Sequence, residues 1–351
     1  MLRHDRSKTC AEEGADATRG CAGIRFGRCQ LALTRIPRQF SRARIEFDHQ
    51  GPGDVPEYDR EDFMADILKG APVAQAMTES FRQEAETLRA QGVTPTLAIV
   101  RVGERADDLS YERGAMKRAA SMGIDVKQVI LPEDVDSDTF FGELRRVNED
   151  ADVHGILLFR PLPRHLDGER ARQMIDPAKD VDGCTDGSLA GVFTNTQIGF
   201  SPCTAQAAME ILHFYGIDVR GKRAAVIGRS LVIGRPVAMM LMHENATVTV
   251  CHTRTIDVPS VTREADIVIA ASGQMESIGA EYLREGQVVI DVGIGWNEEK
   301  QKLCGDVKFD EAETIVDSIT PVPGGVGSVT TAVLCSHVIE AAKRAVRQNT
   351  R

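Results

Sequence analysis

From residue 64 onward the chain alternates short apolar runs with longer stretches whose apolar positions recur every three to four residues. The stretch at about 72–91 has this helical spacing and predicts a helix. The run TLAIVRV (96–102) predicts a strand. A helix over 107–122 follows, closed by Gly123 as a left-handed cap, and then a strand DVKQVIL (125–131). A helix over 137–149 and a strand GILLFRPL (155–162) complete a β-α-β-α-β unit, which predicts a mainly parallel sheet with flanking helices. A helix at 204–216 leads into a second unit of the same kind. Its strands are AAVI (224–227), ATVTVC (246–251), DIVIAA (266–271) and VVIDVGI (288–294), with a helical run VAMMLM (237–242) after the first. A final amphipathic helix, about 329–346, follows a loop rich in Pro and Gly. The expected fold class is α/β, and no repeat of solenoid length is visible.

Residues 1–63 break this pattern. They are Arg-rich, carry three of the eight cysteines and show little hydrophobic period. They lack the apolar core of a secretory signal, and their acidic residues argue against a transit peptide. They read as a disordered extension, from an over-extended start before Met64; a regulatory arm is the functional alternative.

Length and charge narrow the class. At 351 residues the chain should form two domains, or one plus an extension. A net charge of −10 argues against general binding to nucleic acid or an acidic membrane. No apolar run is long enough to span a bilayer. The cysteines are scattered, with no C-x-x-C pair and no metal-ligand spacing, so no metal is expected and the thiols fit a reducing cytoplasm. The absence of H-E-x-x-H and G-x-S-x-G leaves zincin and α/β-hydrolase chemistry without support.

The segment VIGRSLVIGRP (226–236) carries the first chemistry. A buried strand breaks at Gly228, and Arg229, Ser230, Gly234 and Pro236 follow before the next helix. Strand, small-residue turn and helix N-terminus together offer backbone N–H groups to a phosphate. The spacing is G-x-S-x-x-x-G rather than G-x-G-x-x-G, and two glycines at such a turn can also serve sterics alone. The next strand ends at His252-Thr253-Arg254-Thr255, where a dinucleotide fold meets the adenosine ribose. No Asp or Glu stands there to bond a 2′-hydroxyl. Thr253 and Arg254, with Arg229, suit a 2′-phosphate, which leans the cofactor to NADP with NAD as the alternative; Arg254 can equally be a solvated surface arginine.

Six segments then occur in one order: DVDG (180–183), SPCT (201–204), GRS (228–230), CHTRT (251–255), DVGI (291–294) and TPVPGGVG (320–327). With the alternation before them, they resemble the methylenetetrahydrofolate dehydrogenase/cyclohydrolase family over about 64–346. The resemblance implies two α/β lobes with a cleft between them. One is a folate-binding catalytic lobe, 64–204 plus 329–351; the other is an inserted Rossmann-type NAD(P)-binding lobe, 205–328. It implies hydride transfer from 5,10-methylenetetrahydrofolate to NAD(P)+, a cytoplasmic setting and a homodimer. Asp182 would take the amino-pyrimidine edge of the pterin, which presents N–H donors to a carboxylate; otherwise it is a turn carboxylate capping local backbone. Pro323, Gly324 and Gly325 would let backbone approach the flat substrate, or else form a plain tight turn. Gly293 and Ile294 would lie by the nicotinamide, or simply end a buried strand.

The hydrolytic half departs from the family. The family has Tyr-x-x-x-Lys on the helix after the first strand, and two residues four apart share a helix face. Here the segment reads YERGA (111–115), so Ala115 holds the lysine position while Tyr111 remains. Lys117 lies about 200° round the helix from Ala115 and cannot simply substitute. Arg118 shares the Tyr111 face, but a guanidinium is no base at neutral pH. The family's Val-Gln-Leu-Pro-Leu-Pro reads LFRPLP (158–163), with Phe159 for Gln and Arg160 for Leu. Tyr111 would stack on the pterin or close the pocket; otherwise it is an amphipathic-helix residue with its hydroxyl at the surface. The expectation is a dehydrogenase with weak or lost cyclohydrolase activity. A fully bifunctional enzyme, with Arg160 or Arg118 restoring polar function, is the alternative, and a non-catalytic folate- or dinucleotide-binding protein is the reading of another class.

Overall fold

The computed structural model describes residues 64–349. The extension expected over 1–63 lies outside the described residues. The described chain opens with a two-residue strand β1 (Asp66–Ile67) and helix α1 (Gly70–Ala90), whose buried face is Val73, Ala74, Met77, Ala85 and Leu88. Then come β2 (Thr96–Val102), α2 (Ala106–Ser121), β3 (Asp125–Leu131), α3 (Ser137–Glu149) and β4 (Gly155–Leu158). These three strands form a parallel sheet in the order β3-β2-β4. The expected cap holds, with Gly123 at φ 73°, and the structure adds a second at the start of α3, where Asp136 accepts from Thr139 N.

The strand expected to run to 162 stops at Leu158. Pro161 and Pro163 have no N–H to donate to a ladder, so the segment after Phe159 leaves the sheet as a loop. Two short helices that the hydrophobic pattern did not reveal follow, α4 (Gly168–Met174) and α5 (Asp186–Thr194). Helix α6 (Cys203–Phe214) starts the second unit.

That unit holds β5 (Arg223–Ile227), α7 (Gly234–His243), β6 (Thr247–Cys251), α8 (Val258–Arg263), β7 (Ile267–Ala270) and β8 (Val288–Asp291). An antiparallel hairpin of β9 (Gly295–Asn297) and β10 (Lys302–Cys304) follows, then α9 (Phe309–Ala312), β11 (Ser318–Ile319) and the long α10 (Gly327–Asn349). The second sheet has six strands, all parallel, in the order β1-β11-β8-β7-β5-β6. Strand β1 thus joins the larger sheet although it precedes the smaller one, with Asp66 N donating to Asp317 O at 2.9 Å and Leu68 N to Ile319 O at 2.8 Å. The strand expected over 288–294 ends at Asp291, because the Asp291 carboxylate takes the Gly293 N–H at 2.9 Å and turns the chain.

The inner strands of both sheets are covered on both faces, as continuous apolar strands require, while the edge strands β3 and β6 are largely exposed. Ala98 and Val100 of β2 pack with Phe140, Phe141 and Leu144 of α3. Leu97 and Ile99, on the other face, join a core that runs through α1, α2, α6 and α10 to Val226 and Ile269 of the second sheet. The two lobes therefore share one continuous hydrophobic core. Within the first lobe lies a buried ion pair: Arg101 Nε of β2 meets Glu112 Oε2 of α2 at 2.8 Å, both side chains 5 % exposed, and Gln128 donates to Glu112 Oε1 at 2.5 Å.

Candidate active site in the interlobe cleft

The glycine turn after β5 is built by close backbone approach. Gly228 has φ 129°, and a Cβ there would lie 2.1 Å from the Ala271 carbonyl oxygen at the end of β7. A Cβ on Gly234 would lie 2.2 Å from Gly228 O, so both positions demand glycine. Ser230 Oγ accepts from Ile233 N at 3.1 Å, which folds the turn back onto the start of α7. Arg229 and Ser230 are exposed, and Pro236 is buried in the first turn of α7, where its missing N–H costs nothing. The result is a backbone cradle at the N-terminus of a ten-residue helix. At the end of β6, Thr253 and Arg254 are exposed, and Thr255 Oγ1 accepts from His252 N at 2.9 Å to tighten the loop.

Two buried carboxylates organise the far side of this cradle. Asp291 Oδ1 accepts from Gly293 N at 2.9 Å and Asp306 N at 3.1 Å, and Oδ2 from Val307 N at 2.9 Å. Asp306 Oδ2 accepts from Gly273 N at 2.9 Å. Together they tie the ends of β7, β8 and the β9–β10 hairpin to one another. Burial, with Asp306 adding to it, pushes Asp291 up to about 7 despite those three donors. A Cβ on Gly293 would lie 2.2 Å from Asp306 Oδ1, and Ile294 is left 64 % exposed.

The TPVPGGVG loop enters α10 between the lobes. Gly324 has φ 104°, and Gly70 N donates to Gly324 O at 2.8 Å. A Cβ on Gly70 would lie 2.1 Å from Gly325 O, so the start of α1 is pressed against this loop. A groove of about 1220 Å³ runs from there between α1, α2 and the start of α10, with Tyr111, Gly114, Arg118, Gly327 and, across the cleft, Ile294 on its walls. It brings Tyr111 and Ile294 to one space; Asp182, Pro323, Gly324 and Gly325 are not among its lining residues. Gly114 is exposed on that wall, and a Cβ there would meet nothing within 4 Å, so helix packing does not require this glycine.

At the inner end of the groove Tyr111 packs edge-on against Phe159, ring centroids 6.0 Å apart. Its hydroxyl is not a surface group: burial, with Cys203 and Asp182 nearby, holds its pKa well above the usual value. Ala115, one turn on, is fully buried in the core, and Phe159 is 8 % exposed. Neither position offers a group that moves a proton. Arg118 lines the groove and Arg160 is paired with Asp182. Arg118 Nη1 donates to Thr78 Oγ1 at 2.8 Å, and Arg160 Nη2 lies 3.3 Å from Asp182 Oδ2.

Asp182 itself is held by its loop. Asp180, fully buried, accepts from Cys184 N at 3.0 Å and Thr185 N at 2.7 Å, and a Cβ on Gly183 would lie 2.4 Å from Pro202 N. The preceding carbonyl, Val181 O, is 2.8 Å from Nδ1 of buried His337 on α10. Burial lowers His337 to about 4, so at neutral pH it is an uncharged donor to that carbonyl. Asp182 is raised by burial and lowered by the Arg160 guanidinium. Sequence reasoning missed His337, Asp306 and Gly70. A histidine on an amphipathic helix carries no sign of a partner more than a hundred residues away, whereas Gly70 at a helix start was a usable signal of close approach.

The two parallel sheets, the cradle at the start of α7 and the cleft between the lobes define a two-lobed α/β nucleotide-binding class of protein. Within that class, the chain belongs to the tetrahydrofolate dehydrogenase/cyclohydrolase family, whose catalytic domain matches residues 68–182 and whose NAD(P)-binding domain matches 202–346. It is 51% identical over 279 residues to the bifunctional protein FolD of Carboxydothermus hydrogenoformans, covering 79% of this chain and 97% of that one. It is 48% identical over 278 residues to that of Clostridium kluyveri, again covering 79% of this chain and 97% of the relative. Among solved structures it superposes on the bifunctional enzyme of Campylobacter jejuni with a TM-score of 0.76 at 35% identity, covering 79% of this chain and 98% of the other. It superposes on the Trypanosoma brucei enzyme complexed with NADP cofactor and inhibitor with a TM-score of 0.75 at 36% identity, covering 81% and 99%.

Proposed function

We propose that the protein oxidises 5,10-methylenetetrahydrofolate to the methenyl form with NADP+, and that its cyclohydrolase activity is weak or lost. The observation that carries the second half is the pair of apolar side chains, buried Ala115 and Phe159, beside Tyr111. Hydrolysis of the methenyl ring needs an activated water and a proton carrier, worth about 10²–10⁴-fold. Hydride transfer needs alignment instead, because the folate nitrogens stabilise the cation that forms.

The cradle fits a dinucleotide. Gly228 and Gly234 leave space that any Cβ would fill, and Arg229, Ser230 and Pro236 shape the helix N-terminus that would take the pyrophosphate. Thr253 and Arg254 would meet the ribose 2′-phosphate, which favours NADP over NAD. When bound, the nicotinamide would accept the hydride. The carboxylate of Asp182 orients the pterin through its N–H edge. The Tyr111 ring covers the pterin face, while Pro323, Gly324 and Gly325 close the substrate's edge. Backbone at Gly293 and the exposed side chain of Ile294 set the nicotinamide side of the cleft. The assembly we propose is a homodimer.

The fully bifunctional reading draws support from Arg118, which lines the groove, from Arg160, paired with Asp182, and from the relatives' own bifunctional description. One assay separates the two readings. Methylenetetrahydrofolate with NADP or NAD is followed at the methenyl absorbance, and methenyl decay is then compared with and without enzyme. Methenyl formation faster with NADP, and decay at the buffer rate, are expected. No methenyl formed with either nucleotide removes the dehydrogenase; enzyme-accelerated decay removes the loss of hydrolysis.

A further inference from the structure

We propose that Arg160 is a substrate-binding residue, the donor that reads the 4-oxo group of the pterin beside Asp182. This rests on the folate reading of the site. The starting observation is an arginine with too few partners. Among the described residues its buried Nε has no hydrogen-bond acceptor, and its one ion pair is the 3.3 Å contact from Nη2 to Asp182 Oδ2. A buried donor without an acceptor costs free energy, so such a group is retained where a partner arrives later. The side chain is 31 % exposed and Asp182 27 % exposed, so neither is sealed from an incoming ligand.

The chemistry of the ligand matches the pair. The pyrimidinone edge of a 2-amino-4-oxopteridine presents, in order, an amino donor, an N–H donor and a carbonyl acceptor. A carboxylate takes the first two through its two oxygens and offers nothing to the third, because an ionised carboxylate only accepts. A guanidinium next to that carboxylate, with five donors in a fixed fork, supplies the missing one. Arg160 and Asp182 thus form an acceptor, acceptor, donor row. In the absence of substrate each occupies the other; with substrate the guanidinium passes from Asp182 to the carbonyl. Position 160 follows Phe159 in the chain, and Phe159 touches Tyr111, so the row lies where the pterin would stack.

The test compares binding of folic acid, a 2-amino-4-oxopteridine, with aminopterin, its 2,4-diamino counterpart, by titration calorimetry. It uses wild type, Arg160→Leu and Arg160→Lys, each checked for folding by circular dichroism. Wild type should prefer the 4-oxo ligand by roughly tenfold or more, the size of one hydrogen bond to a charged group. Arg160→Leu should lose most of that preference, and Arg160→Lys, which keeps charge without the fork, should fall between. Should Arg160→Leu fail to fold, the Arg160→Lys ratio alone decides. Unchanged preference in the folded variants, or equal weakening of both ligands, overturns the assignment while leaving the folate reading in place. Failure of wild type to bind either pteridine overturns both.

Discussion

Replacing Ala115 with Lys and Phe159 with Gln together should install methenyl hydrolysis in this protein. Ala115 is fully buried and lies one helical turn from Tyr111, so a lysine there shares the tyrosine's face. Burial disfavours the charged ammonium, which moves the amine toward neutrality and toward use as a base. The structural cost can be bounded. Phe159→Gln gives up the edge contact to Tyr111 at 6.0 Å, worth about 0.5–1.5 kcal/mol beyond its buried area. A four-carbon stem forced into the packed space at position 115 costs about 1–3 kcal/mol. The sum, about 1.5–4.5 kcal/mol, is below the 5–15 kcal/mol typical of whole domains, so the double variant should fold with a lowered Tm. A positioned acid/base group should then accelerate decay of the methenyl ring by about 10²–10⁴-fold over wild type. Each single variant should remain near the wild-type rate, since one supplies the carrier and the other the polar contact to the ring. Decay is read as loss of methenyl absorbance against a buffer blank. A double variant that is folded by circular dichroism, still forms methenyl, and hydrolyses it no faster than wild type refutes the assignment of these two positions.

Other parts of the structure make further predictions. Gly228→Ala places a Cβ 2.1 Å from Ala271 O at φ 129°, so it should lower Tm by a strain of roughly 1–3 kcal/mol and weaken NADP binding; unchanged affinity would show that the cradle does not hold the cofactor. Asp291, pushed up to about 7, binds a proton in the folded state that the unfolded chain, with its ordinary value of 3.8, has released. Its effect is therefore stability that is full below about pH 4 and lost as the pH rises through 7, by up to about 4 kcal/mol. Denaturant midpoints measured between pH 4 and 8 should show this decline, and Asp291→Asn, although less stable overall because its amide faces the Val307 N–H, should flatten it. Arg101→Leu leaves Glu112 charged and buried and should cost about 3–5 kcal/mol, while Arg101→Leu with Glu112→Val should regain most of it; a double variant as unstable as the single would mean that the pair is worth more than its apolar replacement.

How much of this could be read from the chain depended on whether the cause was local. The strand TLAIVRV appears as β2 over the expected residues, because a run buried on both faces must be apolar throughout, and even Arg101 fits once Glu112 is opposite. The turn at Gly228 was readable because a positive φ leaves its mark in the residue type. Helix α5 was not, since it packs through small residues: a Cβ on Gly191 would lie 2.1 Å from Ile198 O, and small residues leave no apolar stripe. Two-residue strands such as β1 and β11 show no periodicity at all. In the site, Ala115 and Phe159 could be read directly as apolar residues at the positions where the resemblance implies Lys and Gln, whereas the direction taken by Arg160 could not. An arginine beside prolines reads as a solvated loop residue, and only the tertiary approach of the DVDG loop turns it onto Asp182.

The place of β1 bears on how such a protein can be cut, fused or inherited in pieces. The larger sheet takes its outermost strand from residues 66–67, and its neighbour β11 from 318–319, so the polypeptide begins and finishes one sheet on either side of making the other. A fragment holding only 205–328 would keep β11 but lose the strand that shields it, presenting an open row of backbone donors and acceptors to any passing chain. The lobe that carries the glycine turn is consequently not a cassette. Moved with that edge covered, it takes along the strand at residues 66–67, which lies ahead of β2, β3 and β4 in the chain.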